Sequence, residues 1–480
     1  MLDRKKYEEE LARAGELQIE QISAYLSDYI KLNAKTRELP LIAKTDEDIL
    51  KEVEAIPIPQ KGRDPREIAD ELVHKVFEQS MMIQHPKFLS FVTSAVSPYS
   101  LAGAVLSDIY NLNLGGFQFA PPAAIIEQKL IQWMGSRIGF DENCGGVFTS
   151  GGSLSNLTGF IAARDNMLKD TEYPIGVAYL SDQAHSSVRK GLRMMGLRKD
   201  QIVILPSDDD FKMPIDLLER QIEKDKKDGK KPFLIVGGLG TTNTGSIDDF
   251  AELGKLRDKY GLWLHVDGAF GGSILFSEIY KNFAKGIECA DSMSWDTHKW
   301  AMQVYSCSCL IAKDKKKLIH TYVEHPEYLA DVIDGEHTDG WDLGIEMSRP
   351  ARCIKLWFTV QAMGTDLLSD VIDYSFFLMN LAKAELEKMP EWELTSRPMC
   401  GTLTFRFVPK EILPERYDAL NAEIAETISD EQFAFVVTTV IKGKRVIRLN
   451  LINPNTTDTD VLSTVKRLGE IGNELKKDFR

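Results

Sequence analysis

Between residues 85 and 345 short apolar runs alternate with amphipathic stretches, and this alternation limits the fold more than any other feature of the chain. The runs Gly176–Leu180, Gln201–Leu205, Phe233–Val236, Leu262–Val266 and Cys307–Ile311 carry no formal charge. A strand with one wet face alternates polar and apolar residues, so uncharged runs of this length read as strands buried on both faces. Helical stretches separate several of them. Strand and helix in alternation imply a mostly parallel central sheet flanked by helices. In such sheets ligands bind beyond the C-terminal ends of the strands.

The flanks read differently. Within residues 5–31, Ile19, Ile22, Leu26 and Ile30 recur every three or four positions, one apolar stripe on a charged helix. Such a stripe needs a partner surface, either the chain's own body or a second subunit. Pro57-Ile58-Pro59-Gln60-Lys61-Gly62 marks a loop. After the alternating region, residues 366–389 have a helical pattern and Leu403–Phe407 alternates with period two. Val436–Ile441 and Val446–Leu451 flank Lys442-Gly443-Lys444-Arg445, a hairpin signal. The expected organisation is an N-terminal helical segment over 1–84, a large α/β domain over 85–365 and a smaller α+β domain over 366–480.

Charge and composition exclude several classes. Lys and Arg number 58 against 72 Asp and Glu, a net charge of −14. Binding to nucleic-acid phosphates wants a basic surface. No apolar run approaches the roughly 18 residues of a membrane span. The N-terminus is charged where a secretory signal is apolar. The six cysteines form no C-x-x-C pair, as expected of reduced thiols. The expectation is a cytoplasmic protein with no nucleic-acid, membrane or metal partner.

Five segments carry chemistry, most of them at expected strand ends. Gly145-Gly146-Val147-Phe148-Thr149-Ser150-Gly151-Gly152-Ser153 leads from a strand through a glycine turn into a helix. Free backbone N–H groups and the positive end of the helix dipole suit that turn to an anion; a tight turn that holds no ligand is the alternative. It lacks both G-x-G-x-x-G and the lysine of a P-loop. Leu262-Trp263-Leu264-His265-Val266-Asp267 ends a buried strand in a carboxylate, which is costly without a cation or donors; an ordinary strand-end cap is the alternative. Asp296-Thr297-His298-Lys299-Trp300 follows another strand, and a desolvated lysine there can attack a carbonyl. His185, in Ser181-Asp182-Gln183-Ala184-His185, could stack on a flat ring. The hydroxyls of Gly240-Thr241-Thr242-Asn243-Thr244 could bond a ring substituent.

In that order along an α/β chain, the five segments resemble the fold-type-I pyridoxal phosphate enzymes. More narrowly, the chain resembles the group II amino-acid decarboxylases, and within them the bacterial aromatic-amino-acid enzymes. The resemblance implies pyridoxal 5'-phosphate as cofactor. It matches Lys299 to the lysine that holds the cofactor covalently, Asp267 to the partner of the pyridine nitrogen, His185 to the stacking imidazole and Ala269 to the small residue beneath the ring. Thr242 matches a hydroxyl near the ring oxygen. Gly152, Ser153 and His298 match phosphate contacts, and Ser348 a phosphate contact from the second subunit of a homodimer. Tyr328 matches a mobile-loop tyrosine that protonates the α-carbon, and 325–340 matches a lid. There are two departures. Asp267-Gly268-Ala269 replaces the usual Asp-Ala-Ala, which suggests a more flexible turn. Asp296 stands where animal enzymes often have Asn, and a carboxylate repels phosphate, so Asp296 is set outside the site.

The resemblance places Phe91, Asn113 to Phe119, and Trp341 near the substrate. This aromatic-rich wall suits a flat apolar side chain, and residues 85–125 hold no arginine. Arg349 and Arg448 are read as structurally paired. The expected activity is decarboxylation of an aromatic L-amino acid, tryptophan above all. An acidic substrate and an aldehyde-forming route are alternatives on the same fold. A dinucleotide-binding dehydrogenase would need an acidic residue at a second strand end, where only Glu172 stands at about the right distance. A non-catalytic interaction protein gives no reason for Lys299, Asp267 and His185 to occur together.

Overall fold

The computed structural model of the chain describes residues 47–324 and 337–479, with scattered residues ahead of them. Seven strands form the central sheet: β1 (Gly145–Thr149), β2 (Gly176–Ser181), β3 (Ile202–Leu205), β4 (Lys231–Gly238), β5 (Trp263–Asp267), β6 (Ser292–Asp296) and β7 (Ser308–Ala312). Their order is β1-β7-β6-β5-β4-β2-β3. Pairs β2–β3, β2–β4, β4–β5 and β5–β6 are parallel, whereas β7 runs antiparallel to both its neighbours. The link from β6 to β7, residues 297–307, contains no crossover helix. A parallel return needs such a crossover, so the chain comes back antiparallel and leaves Lys299 in the turn.

Both faces of the sheet are covered except at the edge strand β3, where Ile204 is exposed. Along β2, Val177 and Tyr179 join one apolar cluster, while Ala178 and Leu180 join another. Helix α1 (Pro121–Ile138) packs on β1 and β7. Helix α2 (Gly152–Met167) lies across β4 to β7 with its N-terminus at the end of β1, and α3 (Ser186–Met194) packs on α2.

A second, fully antiparallel sheet has the order β10-β11-β9-β8, with β8 (Trp392–Leu394), β9 (Thr402–Phe407), β10 (Val437–Ile441) and β11 (Lys444–Asn450). Its hairpin is tighter than the sequence suggests. Ile441 pairs with Lys444, and the turn is Lys442-Gly443 alone, with φ of 48° and 77°, as a two-residue primed turn requires. The helix expected over 366–389 runs instead as α4 (Cys353–Leu386) and breaks at Gly364, where φ is 75°. The boundary drawn between 365 and 366 falls beside that break. Residues just past 85 pair with the C-terminal part of the chain: Phe88 bridges Phe435, and Leu89 accepts from the Asn450 amide.

Short helices occupy Glu47–Glu54 and Pro65–Leu72, the second capped by the Asp64 side chain. Ile19, Ile22, Leu26 and Ile30 lie outside the described residues. Among the described residues no helix is long and apolar enough to cross a membrane.

Candidate active site

The C-terminal ends of the parallel strands enclose a cavity of about 250 Å3. Gly152, Ser153, His185, Thr242, Asp267, Ala269, His298 and Lys299 all line it. Eight residues drawn from five separated segments of the sequence thus meet in one place.

Each is held by its local structure. Asp267 ends β5, and its Oδ1 accepts from the Ala269 amide (3.1 Å) and the Ser294 hydroxyl (3.3 Å). Among the described residues its Oδ2 has no hydrogen-bond partner. His185 is the N-cap of α3: its Nδ1 accepts from the Ser187 amide, which leaves the proton of a neutral ring on Nε2. Lys299 lies in the turn after β6, and its Nζ is 2.9 Å from Oδ2 of Asp296. Burial works against charge on Lys299, but Asp296 outweighs it and Asp267 and Tyr305 add to the effect, so the ammonium is held above the ordinary lysine range. Burial pushes His298 below the ordinary histidine range against the pull of Asp296. Its Nδ1 accepts from the Cys307 amide at 3.1 Å, so the neutral ring keeps its proton on Nε2. The Thr242 turn is braced from the small sheet, where the Arg448 guanidinium donates to the Thr242 carbonyl.

The cavity fits the expected cofactor. Only the amides of Leu154 and Ser155 in the first turn of α2 are satisfied, both by the Gly151 carbonyl; those of Gly152 and Ser153 remain for an anion. A Cβ at Gly152 would lie 2.7 Å from Asp296 Oδ2 and 2.8 Å from the Ala269 methyl, so only glycine leaves room there. Oε1 of Gln183, another lining residue, is buried without a hydrogen-bond partner. An amine, an unpartnered carboxylate oxygen and free helix amides suit an aldehyde-bearing pyridinium phosphate.

Three expectations change. Asp296, set aside because of its charge, lines the cavity and is almost fully buried. The signal was available: period two on β6 puts Ser294 and Asp296 on one face, with Met293 and Trp295 on the other. Gly268, expected to loosen its turn, sits in close packing, where a Cβ would meet the Met293 methyl, the flexible end of that side chain, and the Ser294 carbonyl oxygen at 3.0 Å. Arg349 is structurally paired as expected, bidentate to Glu127 at 2.7 and 2.6 Å, but Arg448 has no carboxylate partner among the described residues.

The residues expected around the substrate do not line this cavity in the single chain. Asn113 Oδ1 accepts from the amides of Gly115 and Arg349, a loop-closing role. Trp341 is buried against Gly115 and Gly116 and meets Phe119 edge-on at 6.0 Å. Phe91 and Phe119 are 46% and 49% exposed, and Phe91 has a left-handed backbone with φ of 55°, unusual for a bulky residue. Ser348 is exposed. Tyr328 lies outside the described residues, as does most of the expected lid. Glu172 sits in a short 3-10 helix, not at a strand end, and accepts from the Lys169 amide, which removes the dinucleotide reading.

Comparison with known proteins agrees with this geometry. The model of the pyridoxal-dependent decarboxylase conserved domain matches residues 49–408. The aromatic-L-amino-acid decarboxylase of Bacillus atrophaeus is 33% identical over 444 residues, covering 92% of either chain. The L-2,4-diaminobutyrate decarboxylase of Acinetobacter baumannii is 27% identical, over 84% of this chain and 83% of its own. The crystal structure of Oryza sativa TDC with PLP and tryptamine shares the fold, with a TM-score of 0.89 at 23% identity over 95% of this chain and 97% of that one. The chain belongs to the pyridoxal-dependent amino-acid decarboxylases, a fold-type-I family whose cofactor is pyridoxal 5'-phosphate.

Proposed function

We propose that the protein decarboxylates an aromatic L-amino acid, tryptophan first and phenylalanine or tyrosine next, to the arylethylamine and CO2. The 33% identity to an aromatic-L-amino-acid decarboxylase along 92% of both chains carries this reading. The scarcity of free cations supports it. Lys87 stands over the Phe433 ring at 3.6 Å, and Arg349 is locked to Glu127, so neither is free to receive an acidic side chain.

Bound at this site, pyridoxal phosphate supplies an aldehyde that joins amines and a ring that takes up the electron pair left on the α-carbon as CO2 departs. Lys299 carries the one amine in the cavity lining and holds the cofactor. Asp267, with Oδ2 free, keeps a ring nitrogen protonated. His185, its ring fixed by the α3 cap, and Ala269 form the two flat walls. Gly152, Ser153 and His298 Nε2 donate to the phosphate, and the Thr242 hydroxyl serves a ring oxygen. Ser348 completes the phosphate seat from the second subunit of a homodimer, and Phe91, Asn113, Phe119 and Trp341 shape the substrate side there. Exposure of Phe91, Phe119 and Ser348 in the single chain suits residues that finish a site across an interface. Tyr328 returns a proton to the α-carbon. All six cysteines are free thiols, which supports a reducing compartment such as the cytoplasm.

An acidic substrate is the second reading. Arg448 favours it: its guanidinium is buried, Nε has no partner, and it lies one hydrogen bond from the cavity wall. A panel of L-amino acids, with amine and CO2 measured together, tests both readings. Tryptamine and CO2 in equal amounts from tryptophan, with glutamate inert, is expected. Turnover of glutamate but not tryptophan moves the assignment to the second reading. In air, Tyr328→Phe should still release CO2 but divert product toward indole-acetaldehyde and ammonia, with O2 as the oxidant, reduced to peroxide, and water supplying the carbonyl oxygen. An unchanged tryptamine yield at normal speed shows that another group delivers the proton.

A further inference from the structure

Asp296 is buried at 1% exposure beneath the glycine turn that seats the anion. Its Oδ1 accepts from the Ser308 hydroxyl at 2.6 Å, and its Oδ2 is 2.9 Å from Lys299 Nζ. The backbone ties it down as well, since its amide donates to the Ala269 carbonyl at 3.2 Å. A carboxylate fixed in an anion seat opposes phosphate, so its place calls for another reason. Lys299 supplies one: among the described residues Asp296 is the carboxylate within ion-pair distance of its ammonium, while Asp267 acts on it only from farther away.

We propose that Asp296 is the resting counter-ion of Lys299, a positioning residue that keeps the amine protonated and in place until an aldehyde arrives, and so sets the pH dependence of cofactor capture. The proposal rests on Lys299 being the capturing lysine. Capture needs the neutral amine. The ammonium first gives one proton to solvent. The nitrogen lone pair then bonds the aldehyde carbon, and the aldehyde oxygen leaves as water with the two protons that remain on nitrogen. The first step requires the Asp296 pair to open. Other titratable groups face this pair from every side: Asp267 on β5, Tyr305 and Cys307 ahead of β7, Cys309 on β7, His298 in the same turn, and His185 across the cavity. Burial raises Cys307 to about 11 and holds Cys309 well above the ordinary thiol range, so neither thiol ionises in the working range. Asp267 remains in the variant and is the same background for both proteins.

The test uses full-length chain stripped of cofactor, wild type and Asp296→Asn, with two probes: pyridoxal phosphate and pyridoxal, which lacks the phosphate. The capture rate is read from visible absorbance between pH 6 and 10. The variant should capture both aldehydes about tenfold faster at pH 7, with the midpoint of its profile lower by about one pH unit. Unchanged midpoints for both aldehydes overturn the proposal. So does a gain confined to pyridoxal phosphate, which shows simple repulsion of phosphate. Failure of the wild type to capture either aldehyde, or equal capture by Lys299→Ala, refutes the role of Lys299 instead. Asp296→Ser, which cannot pair with the ammonium, gives the same readout if the Asn variant misfolds.

Discussion

Lys299, Asp267 and Ala269 stand just beyond the ends of neighbouring central strands, whereas Phe91, Phe119 and Ser348 stand on exposed connections with no strand of the sheet behind them. Eight of the residues proposed for the cofactor side meet in one cavity of a single chain. Oxygens, amides and an imidazole are each fixed by hydrogen bonds to a neighbouring strand or to the first turn of a helix. Of the aromatic residues proposed for the substrate side, Phe91 and Phe119 are about half exposed and Trp341 is buried. On the proposed assignment, the difference teaches how one scaffold can keep its chemistry while its substrate varies: the reacting groups belong to the sheet, and the groups that choose the side chain belong to loops. Substitutions on the cofactor side should therefore act on every substrate alike, and substitutions on the substrate side should change the ranking of substrates and leave the cofactor bound.

The largest effect is expected at Lys299. Lys299→Ala removes the one amine of the cavity lining; it should fold, lose its visible absorbance on dialysis and decarboxylate nothing. Retained turnover of any amino acid breaks the assignment of this wall. Asp267→Asn comes next. The variant keeps an acceptor for the Ala269 amide but loses the charge that holds a proton on a ring nitrogen. Each pKa unit is worth about 1.4 kcal/mol, a factor of ten, so a loss of several units should slow turnover by orders of magnitude for tryptophan, phenylalanine and tyrosine in equal proportion. A drop below about threefold places the ring nitrogen's partner elsewhere.

The same contrast explains what the sequence reveals. Cofactor-side residues are legible because each follows a buried apolar run, and the end of a parallel strand is where a ligand sits. Asp296 is the instructive miss. Judged as a charge against phosphate it looks misplaced; judged by period two on β6 it shares a face with Ser294, which donates to Asp267. The antiparallel return of β7 is also implicit in the chain, since residues 297–307 offer no helix for a crossover. The packing around Trp341 and Asn113 is not legible in the sequence. Their surroundings come from Gly115, Gly116 and Arg349, more than two hundred residues apart along the chain for Asn113, and no local pattern encodes that contact. Where α4 begins was hidden as well: Gly364 suggests a helix end, yet the chain resumes the helix beyond it.

A smaller effect concerns what stands behind the cofactor wall. His265, two residues before Asp267, is fully buried; its Nε2 donates to Asn156 Oδ1 on α2 at 2.9 Å and its Nδ1 meets the Ser292 hydroxyl on β6 at 2.8 Å. It thereby ties the anion-seat helix to two strands. Burial lowers its pKa to about 3, below the ordinary 6.5 of an unfolded chain. The unfolded state therefore binds a proton that the folded state refuses between those values. The stabilisation is complete above pH 6.5 and is lost as pH falls toward 3. Between pH 6.5 and 5 this one residue should cost about 2 kcal/mol. Denaturant unfolding of wild type and His265→Gln at both values checks it: the variant starts less stable but should lose less on acidification. Equal losses show that acid acts elsewhere.

The smallest effect is expected on the substrate side, and it decides whether the comparison holds. Phe119 is half exposed and touches Trp341 by an edge contact at 6.0 Å. Aromatic pairs of this kind are worth about 0.5–1.5 kcal/mol beyond the area they bury. Because Trp341 is itself buried against Gly115 and Gly116, removing the Phe119 ring should leave it in place. Phe119→Leu should therefore keep fold, cofactor absorbance and the pH profile of capture, and raise KM for tryptophan about three- to tenfold, the equivalent of about 0.7–1.4 kcal/mol. KM for a smaller aliphatic amino acid, where it is turned over at all, should move less, since such a side chain offers no ring for Phe119 to meet. The split matters more than the size. A change in KM with kcat retained means that Phe119 binds the side chain and takes no part in bond breaking. A matching fall in kcat for every substrate, or loss of cofactor absorbance, would mean that the exposed aromatic loop and the strand-end wall form one coupled unit, and the division of labour between sheet and loop would fail for this protein.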